Sequence, residues 1–326
     1  DRRQRQMCIR DRLGGISRGT VIVQDAGRCH VFGRDDDREG LSATITVRDP
    51  RFYSDISLGG SIGAGESWML GRWDCDDLVA LVRILLRNRD LLMDMEGGLA
   101  RLTKPLQRLY HRLAENTRQG ARRNISAHYD LGNEFFKLWL DDSMMYSCGI
   151  FETAESTLAE AQKTRLDRVC QRLDLKPGEH LVEIGTGWGG LAIHAAQKYG
   201  CRVTTTTISR QQFEFARQRV AEAGLEDRIT LLLEDYRDLD GTFDKLVSLE
   251  MIEAIGADQY DTYCAKCESL LRPGGRMLIQ AITIEDDRFE EYSQRVDFIQ
   301  RYIFPGSCLP SVRAMRETIG RVSDLA

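Results

Sequence analysis

His180-Leu-Val-Glu-Ile-Gly-Thr-Gly-Trp-Gly-Gly190 is an apolar strand that ends in closely spaced glycines and opens directly into a helix. Glycine accepts positive φ and has no Cβ, so the chain can turn sharply there and bring its backbone close to a nucleotide-type ligand. Gly185, Gly187 and Gly190 satisfy G-x-G-x-x-G, so a dinucleotide site is weighed first. That reading requires an acidic residue about 20 positions on, to hold a ribose hydroxyl. The next strand instead ends Thr204-Thr-Thr-Thr-Ile-Ser209. Glu183, two residues before Gly185, fits S-adenosylmethionine better, because a carboxylate there can serve the ammonium of a methionine moiety directly or through water. The bland alternative, in which the glycines only shape a turn, is weakened by the order of the surrounding elements.

From residue 180 onward, apolar strands at Leu181–Ile184, Arg202–Ile208, Ile229–Leu233, Lys245–Leu249 and Met277–Ile284 alternate with helical stretches. The helices are expected at Trp188–Tyr199, Arg210–Ala223 and Tyr260–Leu271, the last closed by Arg272-Pro-Gly-Gly275. This alternation predicts a parallel sheet covered on both faces, with ligands at the carboxyl ends of the strands.

Further motifs stand in order: Asn124-Ile-Ser-Ala-His-Tyr-Asp-Leu-Gly-Asn-Glu-Phe-Phe136, Ser143-Met-Met-Tyr-Ser-Cys148, Thr207-Ile-Ser-Arg-Gln-Gln212 and Ser248-Leu-Glu-Met-Ile-Glu-Ala-Ile-Gly256. With them the chain, from about residue 13 to its end, resembles the cyclopropane-fatty-acyl-phospholipid synthases, a family that includes the mycolic acid cyclopropane synthases. The resemblance implies an α/β, Rossmann-like class I methyltransferase fold, C-terminally truncated and preceded by a small α+β lipid-binding-like domain likened to sterol carrier proteins. The chain then divides into that domain over 13–95, a basic amphipathic linker helix over 96–123, and the S-adenosylmethionine-dependent methyltransferase domain over 124–326. The implied reaction adds a methylene from S-adenosylmethionine across the cis double bond of an acyl chain in an unsaturated phospholipid, met at the membrane surface.

Such a reaction asks an alkene, a poor nucleophile, to take a methyl group from a sulfonium in a dry pocket. Positive charge develops on the acyl carbons, and a base removes a proton so that the ring closes. Aromatic faces suit the cation, and Tyr129, Phe135, Phe136, Trp139, Tyr146 and Phe151 supply them, although an aromatic at helical spacing is more often plain core. The family's base is a bound bicarbonate. Resemblance places Cys148, Glu253 and Ile282 around it, puts Gln280 where many members have histidine, and expects a tyrosine from a C-terminal region beyond this sequence. Glutamine can donate a hydrogen bond to an anion but cannot titrate. Cys148 is expected to contribute its backbone, since no basic neighbour in sequence favours a thiolate. For the cofactor, the resemblance points to Tyr146 and Ser147 near the methionine end and to Gly185 and Gly187 under it, beside Glu183. Ile208 and Gln212 fall at the ribose and adenine, and Asp235 and Tyr236 beside the adenine; Asp235 could instead be a solvated loop acid.

The length of 326 residues agrees with two domains. No run approaches the ~18 apolar residues of a spanning helix and no signal sequence is visible, so a cytoplasmic protein, peripheral on the inner membrane face, is expected. A net charge of −5 argues against nucleic acid as a partner. Locally the balance reverses: between Gly98 and Asn124, Arg101, Lys104, Arg108, Arg112, Arg118, Arg122 and Arg123 stand against Glu115 alone. Leu99, Leu102, Leu106, Leu109 and Leu113 recur there at helical spacing. Such a helix can lie in a bilayer interface or simply link domains, and both readings stay open. Nine cysteines show no disulfide framework, and Cys264-x-x-Cys267 lacks the second ligand pair of a structural zinc, so no metal is expected. Homodimerisation is left open.

Gln6-Met-Cys-Ile-Arg-Asp-Arg12 matches the translation of a transposase mosaic-end adaptor, so residues 1–12 are set aside as non-native in the fold reading. Gly19–Val23, Cys29–Phe32 and Ala43–Val47 read as strands, and Asp76–Leu86 as a helix with an acidic start. At the other end, helix is expected over Phe289–Tyr302. A turn follows at Phe304-Pro-Gly-Ser-Cys-Leu-Pro310 that resembles the family's acyl-pocket insertion. A sheet of this class normally closes with two more strands, so the fifth strand is expected to be an open edge and residues 1–326 alone to be inactive. Three function classes remain: lipid cyclopropanation, with alkene methylation to methyl- or methylene-branched chains as its neighbour; a small-molecule N- or O-methyltransferase; and a catalytically dead lipid-binding protein.

Overall fold

The computed structural model describes residues 2–34, 40–89, 117–118, 120–121, 124–125 and 131–325. Two units are formed, Asp1–Tyr110 with Arg295–Phe298, and His111–Gln294 with Ile299–Ala326. Apart from residues 117, 118, 120 and 121, the basic segment expected over 96–123 lies outside the described residues, as does Tyr129.

In the first unit, helix α1 (Arg2–Leu13) precedes strand β1 (Gly19–Asp25), in which buried Val21 and Val23 alternate with less buried neighbours. The chain reverses through Ala26 and Gly27, both at positive φ (48° and 77°), into antiparallel β2 (Arg28–Arg34). Such a turn matches the twist of a two-residue hairpin. β3 (Ser42–Val47) pairs parallel to β1; after helix α2 (Phe52–Met69), β4 (Trp73–Cys75) pairs antiparallel to β3, giving the order β2-β1-β3-β4. Helix α3 (Leu78–Arg87) starts on Asp77, whose carboxylate accepts the Ala80 N–H at 2.8 Å. Val21, Val23, Ala43 and Ile45 share one core with Phe52, Ile56, Trp73, Leu81 and Ile84. Ile9 and Leu13 of α1, from the segment set aside and its border, are buried in the same core. Neither α2 nor β4 was expected from sequence. Within α2 the backbone kinks at Gly60 (φ 58°, ψ −137°), which turns the second half back so closely that a Cβ at Gly63 would lie 2.1 Å from the Asp55 carbonyl.

In the second unit, α4 (Asn133–Lys137) and α5 (Leu158–Leu173) lead into an alternating run: β5 (His180–Ile184), α6 (Gly190–Tyr199), β6 (Arg202–Thr206), α7 (Arg210–Glu222), β7 (Ile229–Leu232), β8 (Phe243–Leu249), α8 (Tyr260–Ser269) and β9 (Leu271–Gln280). The strands form one parallel sheet in the order β7-β6-β5-β8-β9, as the alternation predicts. Leu181 packs with Leu166, Leu191, Ala195 and Val203 on one side, and Val182 and Ile184 pack with Leu246, Tyr263 and Leu270 on the other. α5 opens with a reciprocal cap, in which Thr157 and Glu160 each accept a backbone N–H of the other.

Several boundaries differ from expectation: α8 ends at Ser269, and β9 already begins at Leu271, so Arg272-Pro-Gly-Gly275, read as a helix stop, is drawn into the strand that pairs with β8. α6 begins at Gly190 rather than Trp188, because Gly187 and Gly189 sit at positive φ (53° and 86°) and hold the preceding turn open. β9 ends at Gln280, and Ile284 makes only an isolated bridge to Ser311. Instead of one helix over Phe289–Tyr302 there are two short ones, α9 (Phe289–Ser293) and α10 (Phe298–Tyr302); the Ser293 hydroxyl donates to the Glu290 carbonyl at 3.0 Å and closes the first. α11 (Val312–Val322) follows, contributing Met315, Ile319 and Val322 to the α8 side of the core. Among the described residues no helix is long and apolar enough to cross a membrane.

Leu181, fully buried in β5, tests this core. Leu181→Ala is expected to lower the urea-unfolding free energy by about 2–5 kcal/mol. A loss below about 1 kcal/mol would place the centre of packing elsewhere.

Candidate active site

A cavity of 170 Å³ opens at the carboxyl ends of the parallel strands. All the residues expected to bind a cofactor line it: Tyr146, Ser147, Glu183, Gly185, Gly187, Ile208, Gln212, Asp235 and Tyr236. The glycine turn is pinned to β6, since the Gly185 and Thr186 N–H groups both donate to the Thr206 carbonyl, at 3.1 and 3.0 Å. A Cβ at Gly187 would meet nothing within 4 Å among the described residues beyond its chain neighbours, so the space freed by the absent side chain belongs to the pocket. Such a cradle fits a nucleoside-type group lying against the turn.

Glu183 is 2 % exposed, and its Oε2 accepts the Thr205 hydroxyl at 2.7 Å. Burial pushes its carboxyl up to about 8. A cation bound beside it would restore the charge that burial suppresses. Gln212 takes a hydrogen bond from the Thr207 hydroxyl at 2.9 Å, while Ser209 caps its helix. Asp235 is not a solvated loop acid: it is buried and accepts the Arg237 main-chain N–H, Nε and Nη2 at 3.0, 2.8 and 2.7 Å. Burial alone would raise its pKa, but the Arg237 contacts outweigh it and hold the group below its ordinary value. Tyr236 packs edge-on to Tyr263, and its buried hydroxyl has no partner among the described residues.

Cys148, Glu253, Gln280 and Ile282 gather beside this pocket rather than on its wall. Strand register places Gln280 opposite Leu249, and the following Glu250 N–H donates to the Gln280 carbonyl at 2.7 Å. The Gln280 amide donates to Ser147 Oγ at 2.8 Å and to Glu250 Oε1 at 2.7 Å, with Cys148 Sγ at 3.4 Å. The Cys148 N–H donates to the same Glu250 oxygen at 3.3 Å. Ile282, its side chain exposed, gives its N–H to Glu253 Oε1. Glu253 Oε2 is buried with no partner among the described residues, and burial, aided by Glu250, pushes this carboxyl up to about 7. The donors expected to hold bicarbonate are thus engaged by the chain's own carboxylates, and the site as it stands does not fit that anion.

Glu250, Arg165 and Gln162 were not singled out as site residues by sequence reasoning. Arg165 is 1 % exposed; its Nε donates to Gln162 Oε1 at 3.1 Å and its Nη1 to Gln280 Oε1 at 3.4 Å. Gln162 in turn donates to the Met145 and Ser147 carbonyls at 3.3 and 2.7 Å, holding the Met144–Cys148 loop. One signal was present: Arg165 lies four residues from both Ala161 and Val169, on the buried stripe of α5. Of the expected aromatics, Phe136 is buried against Trp188 and Tyr146, while Phe135, Trp139 and Phe151 are exposed. Cys264 and Cys267 are buried on adjacent turns of α8, where burial pushes the thiols up to about 11 and 12.

Residues 116–323 match the family model described as mycolic acid cyclopropane synthetase. The chain is 41 % identical over 277 residues to tuberculostearic acid methyltransferase UfaA1 of Mycobacterium tuberculosis, covering 83 % of this chain and 64 % of that protein. It is 38 % identical over 279 residues to the cyclopropane-fatty-acyl-phospholipid synthase of Escherichia coli K12, covering 85 % and 69 %. The chain therefore spans about two thirds of the length of these relatives. Among solved structures it resembles the cyclopropane synthase MmaA2 of Mycobacterium tuberculosis (TM-score 0.57, 28 % identity, covering 62 % of this chain and 74 % of that one). It also resembles the mycolic acid cyclopropane synthase CmaA1 complexed with SAH and CTAB (TM-score 0.55, 32 % identity, 60 % and 72 %). Sheet order, glycine turn and these similarities together show that the chain belongs to the mycolic acid cyclopropane synthetase family, with a class I methyltransferase fold.

Proposed function

We propose that this protein is a cyclopropane-fatty-acyl-phospholipid synthase, transferring a methylene from S-adenosylmethionine to the cis double bond of an unsaturated phospholipid acyl chain. The observation that carries this reading is the pocket at the strand ends, in which every residue expected to bind the cofactor meets beside a cluster of carboxylates. S-adenosylmethionine, when bound, supplies an electrophilic methyl group on a sulfonium. Glu183 would meet its ammonium, Gly185 and Gly187 would leave room for the methionine end, and Ile208, Gln212, Asp235 and Tyr236 would hold the ribose and adenine. Tyr146, lining the pocket and packed on Phe136 and Trp139, offers an aromatic face to the positive charge that develops on the acyl chain. Support comes from the similarity to the Escherichia coli enzyme and to a cyclopropane synthase complexed with SAH. The acyl chain lies in a bilayer, so we place the protein peripherally on its surface, with the basic, leucine-repeating segment between Gly98 and Asn124 as the contact.

A second reading, methyl transfer without ring closure, is favoured by the 41 % identity to a tuberculostearic acid methyltransferase. Mass spectrometry and proton NMR of lipids from cells expressing the full-length protein that carries these residues separate the two. A gain of one CH2 with loss of olefinic protons marks cyclopropanation, and the same gain with unsaturation retained marks a methylene branch. Lipids unchanged in cells that make folded protein overturn both.

Two cofactor predictions accompany this reading. Gly187→Val places a branched side chain where only ligand space exists, so calorimetry is expected to show loss of S-adenosylmethionine and S-adenosylhomocysteine binding. Wild-type-like affinity would show that the turn does not face the ligand. The second concerns Glu183, whose carboxyl at about 8 is largely protonated at pH 7. An ammonium favours the carboxylate, so binding should release a proton and tighten as pH rises toward 8. In Glu183→Gln the proton release should vanish and affinity should fall about tenfold to a hundredfold. Calorimetry in buffers of different ionisation enthalpy measures the release; an equal release from the variant would assign the proton to another group.

A further inference from the structure

Cys148 and Gln280, two of the residues expected to hold a bicarbonate base, converge on a single oxygen of the protein itself. The Cys148 N–H at 3.3 Å and the Gln280 amide at 2.7 Å both donate to Glu250 Oε1. The third expected donor, the Ile282 N–H, is taken by Glu253. Of these two carboxylates it is Glu250 that lines the pocket. Its position is imposed from several directions. The main chain at Glu250 is left-handed (φ +50°), a conformation that a residue with a side chain adopts only under constraint, and its N–H is fixed on the Gln280 carbonyl at 2.7 Å. Arg165 donates to Gln280 Oε1 at 3.4 Å, which turns the other end of that amide, its two N–H donors, toward Glu250 and Ser147.

Resting on the transfer reaction proposed above, we propose that Glu250 is the proton acceptor and takes the place of bicarbonate in this protein. The alkene π pair forms the new C–C bond to the methyl carbon as the S–CH3 bond breaks, leaving S-adenosylhomocysteine and a positive charge on the acyl chain. Glu250 then takes one proton from the transferred methyl group. The electron pair of that C–H bond forms the last ring bond, and the carboxylic acid afterwards returns the proton to solvent. Gln280 cannot compete for the proton, because an amide does not titrate, so its part is to steady the carboxylate. A glutamine where many relatives have histidine is thereby accounted for.

The test is methyl transfer to unsaturated phospholipid vesicles in CO2-depleted buffer, with and without added bicarbonate, using the full-length protein that carries these residues, unaltered or as Glu250→Gln and Glu250→Gly. Glycine accepts the positive φ at this position, and S-adenosylhomocysteine binding by calorimetry reports whether the pocket of each variant is intact. The unaltered protein is expected to turn over at the same rate with and without bicarbonate. Both variants should bind S-adenosylhomocysteine normally and lose about 100-fold or more in kcat. Added bicarbonate or formate should partly rescue Glu250→Gly by filling the vacated donors. Bicarbonate-dependent turnover of the unaltered protein, or a Glu250→Gln variant that keeps its rate, overturns the inference and leaves the transfer reading intact. Loss of S-adenosylhomocysteine binding in both variants also overturns it, assigning Glu250 to the cofactor instead. Unaltered protein that neither binds S-adenosylhomocysteine nor transfers methyl overturns the transfer reading and this inference with it.

Discussion

The double pairing of β5 is the constraint on which the site depends. A strand buried on both faces must have its main-chain groups satisfied by neighbouring strands, and β6 and β8 do this on either side. Once that register is set, Glu183 lies opposite Thr205, and the glycine turn hangs from the Thr206 carbonyl. The parallel run of β8 and β9 then delivers Glu250 and Gln280 side by side. Strand ends far apart in sequence are brought into one pocket by backbone hydrogen bonding before any side chain contributes. The side chains have the harder task, since the same burial that orders the sheet takes a carboxyl group, Glu183, out of water with the Thr205 hydroxyl as its hydrogen-bond partner among the described residues.

Polar groups near the pocket are held as a connected set. Arg165 reaches Gln162 and Gln280; Gln162 holds the main chain at Met145 and Ser147; Gln280 holds Ser147 and Glu250. A buried guanidinium is costly to desolvate, and burial lowers the Arg165 pKa even though Glu250, Cys148 and Glu183 all pull the other way. Its value lies in geometry. One rigid planar donor sets the orientation of two amides, and those amides set the loop that carries Tyr146 to Cys148.

The cofactor half of the site was legible in the sequence because it rests on local patterns. Gly185 and Gly187 follow one strand, Ile208 and Gln212 the next, and Asp235 the third, so strand ends could be found from apolar runs and turns alone. The polar cluster was less legible. Arg165 shares α5 with Lys163, Arg168 and Arg172, which are exposed, and nothing in residue type separates the buried cation from the solvated ones. Glu250 stood within a recognised motif, yet its left-handed backbone and its two donors appear only when β8, β9 and the Cys148 loop come together. In the first unit, Gly59, Gly60, Gly63 and Gly65 hid α2, since a helix so rich in glycine has little intrinsic propensity and depends on close packing. The three-residue β4 is too short to show an alternation.

The environment of Cys148 carries a consequence for chemical inhibition. Its thiol is exposed beside the pocket, which would make it an obvious target for a covalent warhead. Alkylation requires the thiolate, however, and here partial desolvation of the side chain together with the Glu250 charge raises the pKa above its ordinary value. Electrophiles drawn into this pocket therefore meet a cysteine within reach whose thiolate fraction is lower than that of an ordinary thiol, so trapping of sulfur is slowed and more of the potency has to come from reversible contacts with the glycine turn.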